Sequence, residues 1–236
     1  MFQTELTNAM SSMGWSLTAI QIQQFCQFQD MLLETNKVMN LTAITEPSEV
    51  AVKHMADSVS CYDAAYFAPH ARVLDLGTGA GFPGLPLLIY RPDLQMTFFD
   101  SLQKRLRFIQ QVLTQLELQA DCLHGRAEEM AHQEAYREQF DIVTSRAVAR
   151  LPILAEWALP YVKKNGFFIS LKGAQYEEEI KESRHALNIL GAVIEEVRPI
   201  ALPGLADKRA VIYIRKVAAS PKKYPRKPKM AAKNPL

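Results

Sequence analysis

Three glycines between a short apolar run and a helical pattern constrain the fold of this chain more than any other feature. Residues 71–87 read A-R-V-L-D-L-G-T-G-A-G-F-P-G-L-P-L. The apolar residues before Asp75 predict a β-strand, and the apolar pattern that begins near Pro83 predicts a helix. Because glycine allows positive φ and a close approach of ligand to backbone, the segment predicts a nucleotide-type cofactor site after the first strand of a parallel sheet.

The glycine pattern is compatible with two cofactors. Residues 75–81 read D-x-G-x-G-x-G, which is typical of S-adenosylmethionine-dependent methyltransferases, while residues 79–84 also fit the G-x-G-x-x-G of dinucleotide-binding proteins. Both patterns predict an acidic ribose ligand about 20 positions further on, at the end of the second strand. Asp100 occupies that position. Asp75 favours the methyl donor, because a carboxylate there can serve a sulfonium but would repel a pyrophosphate.

Strand and helix patterns alternate from residue 72 onward. The predicted strands cover residues 72–76, 94–99, 119–124, 140–145 and 166–172. The predicted helices between and after them cover residues 83–91, 102–117, 127–137, 151–163 and 174–190. Two last strands, 192–201 and 209–216, have no helix between them and therefore predict an antiparallel pair at the sheet edge. The pattern predicts an α/β fold, a Rossmann-like class I methyltransferase sheet with a C-terminal antiparallel hairpin.

Three parts are expected along the chain: an N-terminal helical extension at residues 1–70, a methyltransferase domain at 71–217 and a basic tail at 218–236. In the extension, Ser16 is expected to cap a helix that runs to about Asn36. The whole chain carries a net charge of +2, but residues 222–236 hold six basic residues and no acid. That composition predicts a flexible phosphate-binding arm, with a solvated solubility tail as the alternative.

Composition excludes several classes of site. The three cysteines are far apart and odd in number, so neither a disulfide framework nor a zinc cluster is indicated, and no metal site is expected. No secretory signal and no apolar run of membrane-spanning length is visible, which predicts a cytoplasmic protein. No Cys-His, Ser-His-Asp or paired-carboxylate arrangement indicates a nucleophilic enzyme.

Candidate site residues lie where the predicted strands end, since parallel α/β sheets bind ligands at that edge. The predicted cofactor ligands are Gly77 and Gly79 for the methionine part, Phe82 beside the cofactor, Asp100 for the ribose, and Ala127 and Glu128 beside the adenine. Arg146 and Lys172 are predicted to face the methyl acceptor, with a salt bridge from Arg146 to Asp141 or a neighbouring acid as the alternative. Methyl transfer to a lone pair that is already nucleophilic, such as that of guanine N7, needs in-line positioning of donor and acceptor more than it needs a general base.

Residues 38–60 precede the first strand and place several polar side chains close to it. Lys53 and Asp57 are four residues apart, so their spacing predicts an ion pair on a helix surface.

The chain resembles the bacterial small-subunit ribosomal RNA guanine-N7 methyltransferases, also called glucose-inhibited division protein B. The resemblance rests on N-L-T-A-I-T-E-P-S-E-V-A-V-K-H-M-A-D-S, V-L-D-L-G-T-G-A-G-F-P-G-L-P-L, D-S-L-Q-K-R-L-R-F, H-G-R-A-E-E, F-D-I-V-T-S-R-A-V-A and L-K-G, in that order. It implies S-adenosyl-L-methionine as donor and N7 of one guanosine in 16S rRNA, free or in the 30S particle, as acceptor. We expect a monomer.

The resemblance also implies roles for individual residues. Cofactor contacts carry over onto Gly77, Phe82, Ala127, Glu128 and Arg146, with Asp100 as ribose ligand. Arg126 and Lys172 become candidate RNA or guanine contacts, and Lys53 and His54 move to the margin of the site. Two alternatives remain open: an NAD(P)-dependent oxidoreductase, and a non-catalytic ribosome-binding protein that acts through its basic tail.

Overall fold

Seven strands form a single mixed sheet in the order β3-β2-β1-β4-β5-β7-β6. The computed structural model describes residues 1–236 apart from the side chain of Pro228. The strands are β1 Arg72–Leu76, β2 Gln95–Asp100, β3 Asp121–His124, β4 Phe140–Arg146, β5 Val162–Lys172, β6 Ala192–Pro199 and β7 Ala210–Lys216. Strands β1 to β5 pair in parallel, whereas β7 is antiparallel to both β5 and β6. The predicted α/β sheet with a C-terminal antiparallel hairpin is confirmed.

Helices cover both faces of the sheet and precede it. They are α1 Phe2–Ser12, α2 Ala19–Met39, α3 Pro47–Glu49, α4 Asp57–Val59, α5 Gly84–Tyr90, α6 Gln103–Gln115, α7 Ala127–Met130, α8 Leu151–Ala158, α9 Tyr176–Ile189 and α10 Pro228–Lys233. The predicted helix 127–137 ends early, at Met130, because the chain then turns to bring Arg137 against the C-terminal residues. None of the described helices is long and apolar enough to cross a bilayer.

The helix α2 begins at a different cap from the one expected. Thr18, not Ser16, is the N-cap: its hydroxyl accepts from the Gln21 amide at 3.2 Å, while the Gln21 side chain accepts from the Thr18 amide at 2.9 Å. This reciprocal capping box satisfies two amides that the first turn leaves without helical partners. Ser16 lies two residues too early to take part.

The N-terminal helices share one hydrophobic core with the sheet. Phe28 of α2 is fully buried, and its ring centroid lies 5.4 Å from that of Phe82 and 6.5 Å from that of Phe108. Phe82 follows the glycine loop, and Phe108 lies on α6. Helix α2 therefore packs directly behind the loop that the sequence identifies as the cofactor site.

A π-helix, Val50–Ala56, joins α3 to α4 and changes which residues share a face. Its wider turn bonds residues five apart instead of four. The predicted Lys53–Asp57 surface pair is wrong: Lys53 pairs with Glu49, and Asp57 points inward with only 11% of its side chain exposed.

The C-terminal residues are docked on the domain and do not form the flexible tail that was predicted. Arg226 makes a two-pronged ion pair with the fully buried carboxylate of Glu156, at 2.9 and 2.6 Å. Arg137 donates to the backbone carbonyls of Ser220 and Tyr224 at 2.8 and 3.0 Å. Tyr224 itself is buried. These contacts hold the basic segment in place at least as far as Arg226.

Candidate active site

The glycine loop after β1 has the left-handed backbone that its sequence predicts. Gly77 and Gly79 have φ values of +72° and +60°. The Gly77 amide donates to the Phe99 carbonyl at 2.8 Å, which ties the loop to the end of β2. A Cβ on Gly77 would lie 2.7 Å from Val148, whereas one on Gly79 would meet no side chain within 4 Å. The loop thus leaves an open face of backbone at Gly79.

Asp75 lies beneath this loop and does not face a ligand. Its carboxylate is fully buried and accepts hydrogen bonds from the Thr78 hydroxyl at 2.5 Å, the Gly84 amide at 3.0 Å and the Thr144 hydroxyl at 3.2 Å. Burial raises the pKa of Asp75 to about 6, although these donors and Arg146 oppose the shift. The expectation that Asp75 serves a sulfonium is therefore wrong, and the residue instead braces the turn.

A cavity of about 530 Å³ opens at the carboxyl edge of β1, β2 and β4. Among the predicted site residues, its lining includes Gly77, Gly79, Phe82, Asp100, Arg126, Ala127, Glu128, Arg146 and His54. The lining also contains Ser101, Arg105 and Val148, which follow the ends of β2 and β4, and Thr42 and Trp157, which the sequence did not single out. Lys53 and Lys172 are not part of this wall.

Asp100 connects the two strand ends that form the floor of the cavity. Its side chain is 3% exposed and accepts from the Gly79 amide at 3.0 Å, the Leu102 amide at 2.8 Å and Arg105 Nη1 at 3.3 Å. A carboxylate has about four lone-pair sites for hydrogen bonds, so Asp100 can fix the loop and still accept from a ligand hydroxyl.

Arg146 is held over an aromatic ring by a buried ion pair. Its Nη1 lies 2.7 Å from Asp57 Oδ2 and 3.1 Å from the Lys53 carbonyl, and its guanidinium lies 4.8 Å from the centroid of the Phe82 ring. The alternative of a salt bridge to an acid is realised with Asp57. Asp141 pairs with Lys163 instead. The main chain of Lys53 thus touches the site, although its ammonium does not.

His54 stacks on the same phenylalanine ring, with centroids 4.5 Å apart, and its Nε2 lies 2.7 Å from the Thr42 hydroxyl. Burial, reinforced by the neighbouring Arg146 charge, lowers the pKa of His54 to about 4. The imidazole is therefore neutral at pH 7. The Phe82 ring thus contacts both the Arg146 cation and the neutral His54 imidazole.

Trp157 of α8 lines the cavity, although no sequence pattern predicts that it would. Within the described part of the chain, its indole Nε1 is one of three buried side-chain polar atoms without a hydrogen-bond partner. A buried donor without a partner costs free energy. At the cavity rim, Arg126 is 66% exposed and lies 3.9 Å from Glu128, whose side chain is 10% exposed.

Lys172 lies in a second cavity of about 400 Å³ next to the first. Its Nζ donates to the Ala149 carbonyl at 2.6 Å and pairs with Glu179 at 2.8 Å. Burial lowers the pKa of this lysine. The two cavities share Arg146, Ala147 and Val148 in their walls. Lys172 and Arg146 therefore both line the second cavity, and Arg146 lines the first as well.

The residues of the first cavity fit S-adenosylmethionine. Its volume lies within the range of about 300–1,000 Å³ that small-molecule sites occupy. It offers open backbone at Gly79 and acceptor oxygens at Asp100, with the Trp157 ring in its wall. These groups match an amino-acid tail, ribose hydroxyls and a heteroaromatic base.

Comparison with known proteins agrees with this geometry. The family model described as rRNA small subunit methyltransferase G matches residues 21–204. A protein of Alkaliphilus metalliredigens named ribosomal RNA small subunit methyltransferase G is 44% identical over 98% of this chain and 97% of its own length. The protein of that name from Lachnoclostridium phytofermentans is 47% identical over 96% of this chain and 94% of its own length.

Solved structures support the fold. A putative methyltransferase from Bacillus halodurans aligns with a TM-score of 0.50 at 16% identity, covering 69% of this chain and all of its own. A precorrin-6y C5,15-methyltransferase from Geobacter metallireducens aligns with a TM-score of 0.52 at 13% identity, covering 76% of this chain and 91% of its own. At these identities the likeness concerns the fold alone, which is that of class I methyltransferases.

Proposed function

The chain belongs to the rRNA small subunit methyltransferase G family, and from that premise we propose that it methylates N7 of a guanosine in 16S rRNA, with S-adenosyl-L-methionine as donor. The observation that carries the proposal is the first cavity, where the glycine loop, Asp100 and Arg146 meet at one sheet edge. An oxidoreductase would need a group to exchange a proton beside the hydride acceptor. Among the described lining residues, the one imidazole is the half-buried His54, whose pKa is lowered to about 4.

The cofactor is held by residues that the geometry already orients. The loop backbone at Gly77 and Gly79 borders the methionine part, and Asp100 accepts from the ribose hydroxyls. Ala127 and Glu128 flank the adenine, with the Trp157 ring in the same wall. When bound, S-adenosylmethionine supplies an electrophilic methyl group that a guanine N7 lone pair can take without first losing a proton.

The chain's own contribution to the reaction is positioning. Arg146, fixed by Asp57 and the Phe82 ring, presents donors suited to guanine O6, which lies beside N7 on the same edge of the base. His54 is neutral, so it contributes to the shape of the cavity wall and does not take a proton. Lys172 acts on the acceptor from the neighbouring cavity, while Lys53 supports Arg146 through its carbonyl.

RNA contacts are expected around the mouth of the site. Arg126 stands exposed at the rim, and Lys227 and Lys229 of the docked C-terminal segment line a groove with it. Cations at a rim of this kind bind phosphates without reading sequence. We take the substrate to be rRNA, free or within a 30S particle, the protein to be a monomer and its place of action to be the cytoplasm, where ribosomal subunits mature.

The test is a comparison of cofactor binding with methyl transfer. Calorimetric titration with S-adenosylhomocysteine and with NADH is paired with transfer of labelled methyl groups to 16S rRNA by the wild-type protein and by Arg146→Ala. We expect binding of S-adenosylhomocysteine only, transfer by the wild type, and a loss of about a hundredfold in kcat/KM for the variant. Exposed Arg215→Ala is the matched control and should behave as wild type. Binding of NADH alone would overturn the proposal in favour of the oxidoreductase. If Gly77→Asp, a substitution in the cofactor loop, left the protein's role in the cell intact, the protein would instead be a non-catalytic ribosome-binding protein.

A further inference from the structure

The second cavity has chemistry of its own that the cofactor does not use. We propose that it receives the guanosine nucleotide to be methylated and that Arg209 is one of the residues that bind it. This inference rests on the proposed function and adds the location of the acceptor site. It involves residues from the end of β5 and from the loop between β6 and β7, far along the chain from the glycine loop.

The position of the cavity suits an acceptor. It shares the wall of Arg146, Ala147 and Val148 with the cofactor cavity. Val148 also contacts the glycine loop, since a Cβ on Gly77 would collide with it. A group bound in the second cavity therefore lies next to a group bound in the first, along the residues that the two cavities share. Methyl transfer requires such adjacency, because donor and acceptor must be held in line.

Arg209 contains a donor with nothing to bind within the protein. Its Nη1 donates to Asp57 Oδ1 at 2.9 Å, and its Nη2 lies 3.7 Å from Asp207. Its Nε is buried and, in the described part of the molecule, has no hydrogen-bond partner. An unpartnered buried guanidinium nitrogen is costly. Nη2 makes no hydrogen bond within the described molecule and belongs to a side chain in the cavity wall, so guanine O6 and N7 or a phosphate oxygen would accept from it.

The lining charges favour a guanine nucleotide over a simple anion. Arg146, Lys172 and Arg209 supply cations, while Asp57 and Glu179 supply carboxylates inside the same space. Arg150 adds a cation at the rim, although Glu182 pairs with it at 2.7 Å. A pure phosphate site would not include two acids. Guanine carries acceptors at O6 and N7 and donors at N1 and N2, so it can use both signs.

The size of the cavity requires the target base to leave its neighbours. At about 400 Å³ it can hold one nucleotide and not a base-paired helix. Enzymes that modify a base in such a pocket act on a single-stranded or extruded nucleotide. The proposal therefore predicts that the target guanosine is unstacked when it is methylated.

The first test removes the arginine. Steady-state methylation of small ribosomal subunits is measured for wild type, Arg209→Ala and Arg215→Ala, together with the affinity for S-adenosylhomocysteine. Arg215 lies on the same strand, β7, in an exposed ion pair with Glu195, and serves as the matched control. We expect Arg209→Ala to lower kcat/KM at least about tenfold, mainly through KM, with cofactor affinity within about twofold of wild type. Arg215→Ala should match the wild type.

The second test fills the cavity and removes no contact. Gly173 lines it, and an added Cβ there would meet no atom within 4 Å. Gly173→Trp should reduce kcat/KM for RNA while leaving cofactor affinity unchanged, with Arg215→Ala again as the control. This variant decides the matter if Arg209→Ala fails to fold.

Failure of the inference and failure of the proposed function give different results. If the wild type transfers no methyl group to 16S rRNA, the proposed function itself falls. If the wild type is active but Arg209→Ala and Gly173→Trp both keep wild-type kcat/KM, the second cavity is not the acceptor site. An equal loss of cofactor affinity and kcat/KM in Arg209→Ala would also overturn the inference, because it would mean that Arg209 only braces Asp57.

Discussion

Asp57 connects the two cavities, and its replacement by asparagine should weaken both the fold and the site. Its carboxylate accepts from Arg146 at 2.7 Å and from Arg209 at 2.9 Å, and the three side chains are 11%, 14% and 18% exposed. Two unit charges about 4 Å apart attract by about 4 kcal/mol at an effective dielectric constant near 20. Removing one partner of a buried pair costs about 3–5 kcal/mol. With some solvent contact remaining, we expect Asp57→Asn to lower the free energy of unfolding by about 3 kcal/mol.

The assay is a double-mutant cycle on Asp57→Asn and Arg146→Ala, in which urea unfolding gives the free energy of unfolding of each protein. We expect a coupling energy above about 1 kcal/mol, because the two groups are in direct contact. Asp141→Asn is the matched control: this carboxylate is 27% exposed and pairs with Lys163 away from both cavities, so its loss should cost less than about 1 kcal/mol. The reasoning is refuted if Asp57→Asn costs no more than the control, or if the two changes are additive.

Three further predictions concern the loop and the C-terminal segment. The pKa of Asp75 is raised from 3.8 to about 6 in the fold, so the native state binds the carboxyl proton more tightly than the unfolded chain does. Protonated Asp75 therefore stabilises the fold by about 3 kcal/mol below pH 3.8, and this stabilisation is lost as pH rises to about 6. Urea unfolding across that range should show the decline, and Asp75→Asn should flatten it. Gly77→Ala, at φ +72°, should reduce affinity for S-adenosylhomocysteine by about tenfold in calorimetry, because the loop must shift; unchanged affinity would mean that the loop backbone does not touch the cofactor. Arg226→Ala should destabilise the protein by about 3 kcal/mol in thermal unfolding, since the buried Glu156 carboxylate loses its partner, whereas exposed Lys222→Ala should change stability by less than about 0.5 kcal/mol; equal effects would mean that the docking of the segment contributes nothing.

The sheet and the glycine loop could be predicted because the residues that determine each strand and turn are close together in the sequence. Apolar runs mark strands, and the glycines after β1 need no distant partner to adopt positive φ. The sheet edge then follows from the rule that parallel strands present their carboxyl ends together, and this rule gathered Asp100, Ala127 and Arg146 into one cavity.

The partners of charged residues could not be predicted, since they are decided by contacts between distant parts of the chain. Spacing along a regular helix pairs Lys53 with Asp57, but a π-helix alters the turn and Arg146 competes for the carboxylate from the other side of the site. Composition alone describes a basic C-terminal tail as solvated. A buried acid on α8, Glu156, provides the anchor that composition cannot reveal.

The most direct measurement of the central claim is transfer of tritiated methyl groups from S-adenosylmethionine to small ribosomal subunits from cells that lack this gene, followed by nucleoside digestion and chromatography. We expect label in 7-methylguanosine of the small-subunit rRNA, and transfer about a hundredfold slower when Arg146→Ala replaces the wild type at equal cofactor occupancy. Label in any other nucleoside, or no label from a protein that binds the cofactor, would contradict it.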